Sequence, residues 1–283
     1  MKFDVSGWLD DADKIQSPNR YTTANAREII VMHYTAGYNA ASAINTFKRA
    51  SAEASAHFVV AVDGSITQMV STNEVAWHAG FGVYDGRPKV NSFSIGIEID
   101  NPGYHFKRAD GGFDNWERKP VTAASLAPFP GMVEARDAWV GSAMAYWPKY
   151  PEAQLKALES LTKALLKTYK SITDIVGHKD VDSVRKRKVD PGPAFPMQRF
   201  NLLIDTRSDE EPVATEFLVK SDTGTLNVRG GPGTNFDPLS WGPLSNGQKV
   251  IRLEGRGEWY RVRRWIEGTA REGWVYAPYL VPA

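Results

Sequence analysis

The chain has 283 residues, with 34 Lys and Arg against 33 Asp and Glu, and the resulting net charge of +1 excludes a strong field for steering nucleic acid or an anionic membrane. Hydrophobic residues make up 42% and charged residues 24%, which excludes wholesale disorder, and the length suits two domains. Cysteine is absent, which excludes disulfides, thiolate metal sites and cysteine nucleophiles, so any metal must be held by His, Asp or Glu.

In the opening stretch, Asp4, Asp10 and Asp11 interrupt the apolar run of about 7–15 residues that a secretory signal needs. No window reaches the roughly 18 apolar residues of a membrane span. The sequence therefore predicts no signal peptide and no membrane insertion. Ser17-Pro18-Asn19-Arg20 reads as a loop, and Glu28 to Tyr34 as a buried strand. Ala40 to Ala50 has helical spacing, with Ala43, Ile44 and Phe47 on one face. Ala56 to Val62 and Ser65 to Val70 flank Asp63-Gly64, a hairpin signal. Phe93 to Asp100 reads as a second buried strand. Residues 104–147, rich in Gly, Pro, Ala and Trp, read as a long irregular insertion with one short helix. Pro151 to Tyr169 is the clearest helix, with Leu155, Leu158, Thr162, Leu165 and Tyr169 on one face. Thr173 to Val176 is a strand stopped by Gly177.

Interleaved strands and helices predict an α/β domain over residues 1–204, a mixed central sheet flanked by helices. Residues 205–214 are polar, acidic and contain Pro212, a linker signature. Over residues 215–283 short runs separated by Gly and Pro predict a small all-β barrel.

Five histidines are available: His33, His57, His78, His105 and His178. Each alone has a plain reading as a hydrogen-bonded or surface residue. His33 and His178, however, stand at the ends of buried strands, where α/β proteins build sites. A catalytic zinc needs three protein ligands. Asp190, in Val189-Asp190-Pro191-Gly192-Pro193, is a carboxylate on a turn stiffened by proline, although such a turn can also be only a turn. Alternation puts Glu98 on the same face as Ser94 and Gly96, opposite Ile95, Ile97 and Ile99. A carboxylate in so apolar a strand is costly unless paired or used. His105 reads as a loop residue.

Six short motifs occur in order: His33-Tyr34-Thr35-Ala36-Gly37, Ser55-Ala56-His57-Phe58, Trp77-His78-Ala79-Gly80, Ser94-Ile95-Gly96-Ile97-Glu98, Val176-Gly177-His178 and Asp190-Pro191-Gly192-Pro193. Together with Tyr150-Pro151-Glu152-Ala153-Gln154, they make residues 15–200 resemble the type-2 N-acetylmuramoyl-L-alanine amidases, which share a fold with peptidoglycan recognition proteins. The resemblance implies Zn2+ held by His33, His178 and Asp190, with Glu98 activating water. It implies Lys188 steadying the oxyanion, with Lys186 the nearby alternative. It leaves His57 as support or packing. Tyr34, Trp77, His78, Ala79 and Asn91 are candidate substrate contacts, with Arg87 and Lys89 as further groove residues. Residues 215–282, through Gly224 to Phe236, Glu258-Trp259-Tyr260-Arg261-Val262 and Gly273 to Leu280, resemble bacterial SH3-like domains. Such domains usually bind cell-wall peptide. Trp259, Trp274 and Tyr276 serve either a groove or the barrel core.

The implied activity is hydrolysis of the amide between the muramic acid lactyl group and L-alanine, by a monomer acting on peptidoglycan or muropeptides. The expected setting is a phage or prophage endolysin or another lytic enzyme, cytoplasmic until released. A cytoplasmic muropeptide-recycling amidase is the alternative within the same chemistry. A non-catalytic recognition protein is the alternative outside it, and the complete ligand set argues against that. A zinc peptidase cutting between stem residues is a third reading, opposed by the Ile95–Glu98 strand.

Overall fold

The computed structural model describes residues 1–138, 140–141, 144–182, 187–207, 216–256, 258–266 and 269–283. It divides into two compact units, Met1–Arg207 and Ser208–Ala283. The helix Met197–Arg207 runs through residues 205–207, which the sequence assigns to a linker. Residues 208–214 of that segment lie outside the described residues.

The first unit is organised by a six-stranded mixed sheet. Its strands lie in the order Asp13–Lys14, Ile66–Gln68, Phe58–Val60, Ser94–Ile99, Ile29–Tyr34 and Asp174–Gly177. Only the hairpin pair Phe58–Val60 and Ile66–Gln68 is antiparallel. Its turn follows from Asp63-Gly64: the Asp63 carboxylate accepts from the Ser65 amide at 2.9 Å, and Gly64 takes a φ of +91°. The strands Ile29–Tyr34, Ser94–Ile99 and Asp174–Gly177 are mutually parallel, so their C-terminal ends share one edge.

Alternation gives the sheet two different faces. Ile30, Met32, Ile95, Ile97, Ile99 and Ile175 pack with Leu155, Leu158, Leu161 and Leu165 of the helix Glu152–Thr168. Each of those leucines contributes roughly 1.5–3 kcal/mol through burial. Gln154, near the start of this helix, donates to the carbonyls of Val60 and Asp100 and so ties the helix to two strand ends. Ile29, Val31 and Val176 face the other way, into a smaller apolar cluster with Ala79, Val90, Phe93 and Val181. His33, Ser94, Gly96 and Glu98 share that second face, with His33 and Glu98 directly paired in register.

Against expectation, the described residues of the segment 104–147 are not irregular. They form a five-stranded antiparallel sheet in the order Pro120–Val121, Phe113–Asn115, His105–Lys107, Ala145–Pro148 and Met132–Ala135, with a short helix at Ala123–Leu126. None of these strands exceeds four residues. Alternation over so few positions, broken by Gly and Pro, leaves no readable period. His105 begins one of these strands and is buried, 3.0 Å from the Tyr38 hydroxyl.

The second unit is a five-stranded antiparallel sheet in the order Thr269–Tyr276, Trp259–Ile266, Lys249–Arg256, Glu216–Val219 and Leu280–Pro282, with a two-stranded ladder of Thr225–Leu226 and Leu244–Ser245. Val219, Leu226, Val228, Leu244, Val250, Val262, Val275 and Leu280 form its core. Trp274 is buried, whereas Trp259 and Tyr276, with ring centres 5.6 Å apart, line a cavity of about 620 Å³ together with Tyr279 and Glu258.

Candidate metal centre

Three chain segments, one of them 145 residues from the next, meet at the shared strand edge. His33 is the next-to-last residue of its strand. His178 opens a helical turn, His178–Val181, directly after the strand Asp174–Gly177. Asp180 accepts the Gly177 amide hydrogen at 2.8 Å and fixes that turn. Asp190 is brought in by a turn with a cis Asp190–Pro191 bond. Two aromatic residues back the turn. Tyr150 Oη donates to the Pro191 carbonyl at 2.8 Å, and the Trp147 ring packs against Gly192, leaving no room for a Cβ.

His33 Nδ1 lies 2.9 Å from His178 Nδ1 and 3.3 Å from Asp190 Oδ2, and His178 Nδ1 lies 3.0 Å from Asp190 Oδ2. A tetrahedral ion with bonds of about 2.0–2.1 Å would hold its ligand atoms about 3.3 Å apart. The triangle is therefore the size of one face of such a site. All three residues are buried, and their two imidazoles and one carboxylate form a group that could hold a metal ion.

The electrostatics suit a cation. Burial alone would raise the Asp190 carboxyl. The facing His178, which also hydrogen-bonds the carboxylate, outweighs it and holds the group well below the usual carboxylate range. Burial, helped by His178, lowers the His33 imidazole to about 4, so this ring is neutral at neutral pH. Burial pushes the Glu98 carboxyl well above its usual range. The nearby Asp190 charge adds to this, and Lys188 opposes it. Glu98 Oε2 is buried without a hydrogen-bond partner among the described residues. An orphaned carboxylate oxygen beside a triad of convergent lone pairs fits a divalent ion with its attendant water.

Tyr34, Trp77, His78, Glu98, His178, Lys188 and Asp190 line one cavity of about 400 Å³. His33 lies beneath it and is 1% exposed. Lys188 is positioned through its backbone, since Asp182 Oδ2 accepts the amide hydrogens of Arg187 and Lys188 at 2.6 and 3.0 Å. Lys186 lies outside the described residues, as does Arg185 of the same basic run. Trp77 is held by reciprocal bonds with Ser55, and its ring packs on Tyr21 with centres 5.0 Å apart.

Four sequence candidates, Ala79, Arg87, Lys89 and Asn91, are not among the residues lining this cavity. Asn91 Oδ1 accepts the amide hydrogens of His78 and Ala79, and Ala79 packs in the small apolar cluster. Arg87 pairs with Glu28 at 2.5 Å and stacks over Phe93. His57 is fully buried: its Nδ1 accepts from the Gly96 amide at 3.0 Å and its Nε2 faces the Glu74 carbonyl at 3.1 Å. The sequence reading missed Tyr104 and Trp116, which join the cavity wall from the second sheet. Trp116 is 46% exposed at a hairpin tip. An unpaired aromatic in a polar turn is the signal that could have revealed it.

The profile of a family described as N-acetylmuramoyl-L-alanine amidase matches residues 23–193, and that of the bacterial SH3 domain matches residues 224–281. The 1,6-anhydro-N-acetylmuramyl-L-alanine amidase AmpD of Enterobacter cloacae is 32% identical over 158 residues, 56% of this chain and 60% of that protein. Its namesake in Haemophilus influenzae is 28% identical over 220 residues, covering 69% of this chain and 92% of its own length. The crystal structure of a selenomethionine derivative of AmpD superposes with a TM-score of 0.48 and 25% identity, covering 72% of this chain and 99% of that one. Among the described residues, no helix is long and apolar enough to cross a membrane.

Proposed function

The chain belongs to the N-acetylmuramoyl-L-alanine amidase family, and from that premise we propose that it is a zinc hydrolase cutting the amide between the lactyl group of muramic acid and L-alanine in peptidoglycan. The observation that carries the reading is the convergence of His33 Nδ1, His178 Nδ1 and Asp190 Oδ2 beside the unpartnered oxygen of Glu98. His33, His178 and Asp190 would hold the ion. The chemistry a bound Zn2+ supplies is Lewis acidity, which acidifies water and polarises the amide carbonyl.

The protein's own groups account for the proton traffic. Glu98 takes a proton from the attacking water as oxygen adds to the carbonyl carbon. The same carboxyl returns that proton to the leaving nitrogen as the carbon–nitrogen bond breaks. The products are a lactyl carboxylate and a stem peptide with a free L-alanine amine. The raised affinity of Glu98 for protons favours this two-way role. Lys188, on the cavity wall, supplies a positive charge for the developing oxyanion. Trp77, Tyr34 and Trp116 offer apolar faces to the sugar and peptide, and the second unit, through its match to the bacterial SH3 domain, holds the enzyme to intact wall.

Digestion of purified sacculi, with and without a chelator, tests this reading by mass spectrometry of the products. Stem peptides beginning with free L-alanine, lost on chelation and restored by Zn2+, are expected. Retention of every lactyl–alanine bond under zinc-replete conditions would refute it.

A further inference from the structure

His78 is buried, makes its contacts behind the metal centre, and has no part in the mechanism above. Its surroundings assign every proton along a chain of four groups. Ser94 Oγ lies 2.7 Å from the Val90 carbonyl, which can only accept, so the one hydroxyl proton of Ser94 is committed there. The 3.0 Å contact between Ser94 Oγ and His78 Nε2 must then take its proton from the imidazole. His78 is buried, and burial favours the neutral imidazole. With its single proton on Nε2, its Nδ1 can only accept. That atom faces His33 Nε2 at 3.0 Å, so His33 must donate. Neutral His33, protonated on Nε2, turns an unprotonated Nδ1 toward His178 and Asp190.

Two independent features hold the His78 ring in this relay. A Cβ on Gly96 would lie 2.3 Å from His78 Cγ, so the ring rests directly on the Glu98 strand where only glycine leaves room. Asn91 Oδ1 accepts the amide hydrogens of His78 and Ala79 and fixes the backbone that carries the ring. The three same-face residues of the strand thus divide the work: Ser94 orients His78, Gly96 admits it, and Glu98 faces the cavity.

We propose that His78 is a positioning residue that, through Ser94 and the Val90 carbonyl, fixes His33 in the tautomer whose Nδ1 is free to bind the metal. This rests on the reading of His33 as a ligand. A ligand imidazole is commonly oriented by what its other nitrogen bonds to, and loss of such a partner costs about 10–100-fold in metal affinity.

The test uses the full chain, stripped of metal and labelled with 15N-histidine. Long-range 1H–15N spectra are expected to show His33 protonated on Nε2, with a coupling across the hydrogen bond to His78 Nδ1. A shared proton residing on His78 Nδ1, or His33 protonated on Nδ1, overturns the proposal. Zn2+ affinity by chelator competition is the second readout. His78→Leu should lose about 10–100-fold, and His78→Asn, whose carbonyl oxygen can replace Nδ1 as acceptor, should recover most of the loss. Wild-type affinity in His78→Leu, or no recovery in a folded His78→Asn, overturns it. If His78→Leu does not fold, the wild-type spectra decide alone. A wild-type chain with these tautomers that binds no Zn2+ sinks the zinc-hydrolase reading and leaves the relay standing.

Discussion

Gly177→Ala isolates the close approach between the His178 strand and the Asp190 turn. Gly177 has φ −84° and ψ 160°, a backbone any residue adopts, so alanine brings no conformational strain. It brings a methyl group 2.8 Å from Pro191 Cδ and 3.2 Å from the Asp190 carbonyl oxygen. Carbon–carbon contacts settle near ~3.5–4.0 Å, so Pro191 must retreat by about 0.7 Å or more. It cannot retreat freely, because its carbonyl is held by Tyr150 Oη and the next residue by the Trp147 ring. The overlap should cost about 1–3 kcal/mol of stability in the metal-free chain. Functional constellations tolerate about 0.5 Å of misplacement, so Zn2+ affinity should fall at least tenfold, by about 1.4 kcal/mol or more. Denaturant unfolding in EDTA reads the first quantity and chelator competition the second. Gly37→Ala is the control, because its nearest neighbour atom is 3.9 Å away and its φ is not positive. A Gly177→Ala chain with wild-type metal-free stability and wild-type Zn2+ affinity would refute the close-approach argument.

Glu98→Gln keeps the shape of the side chain and removes the base. It should retain Zn2+ binding while turnover falls by about 10²–10⁴-fold, and full activity would exclude Glu98 from proton transfer. The metal-free chain should lose stability as pH falls from 6.5 toward 4. Burial lowers His57 and His33 to about 4 in the folded chain, so only the unfolded chain takes up those protons in that window. Each contributes on the order of 3 kcal/mol above pH 6.5 that disappears on acidification, and unfolding near pH 5 should be accompanied by proton uptake, measurable by calorimetry in buffers of different ionisation enthalpy. Trp116→Ala should raise KM severalfold with kcat and thermal stability nearly unchanged, because this ring is half exposed on the cavity wall. A large stability loss instead would make it a packing residue.

Much of the first unit can be read from local pattern. The apolar runs around Val31 and Ile97 announce buried strands, and period-two alternation already separates Ser94, Gly96 and Glu98 from the three isoleucines between and after them. The leucine spacing of the helix Glu152–Thr168 is equally plain. What local pattern cannot express is convergence. His33 and His178 are 145 residues apart and touch only because their strands are neighbours in the sheet. His78 shows the limit clearly. Beside Trp77 it reads as groove wall, and only the stacking of strands reveals the glycine under its ring and the serine behind it. The insertion was opaque for a different reason: its strands are too short to hold a period, and their pairing is set by partners distant in sequence.

The small antiparallel sheet has one end at each side of the chemistry. Its inner strand, Ala145–Pro148, carries Trp147 and leads into Tyr150, and both press on the turn that presents Asp190. Its outer hairpin, Phe113–Val121, ends in Trp116 at the mouth of the cavity. The two ends are therefore under unlike constraints. A change in the inner strand is transmitted to the ligand turn, whereas the hairpin tip can be lengthened, shortened or replaced without moving Asp190. This makes the hairpin a natural grafting point, where substrate preference can be altered while the catalytic centre stays as it is.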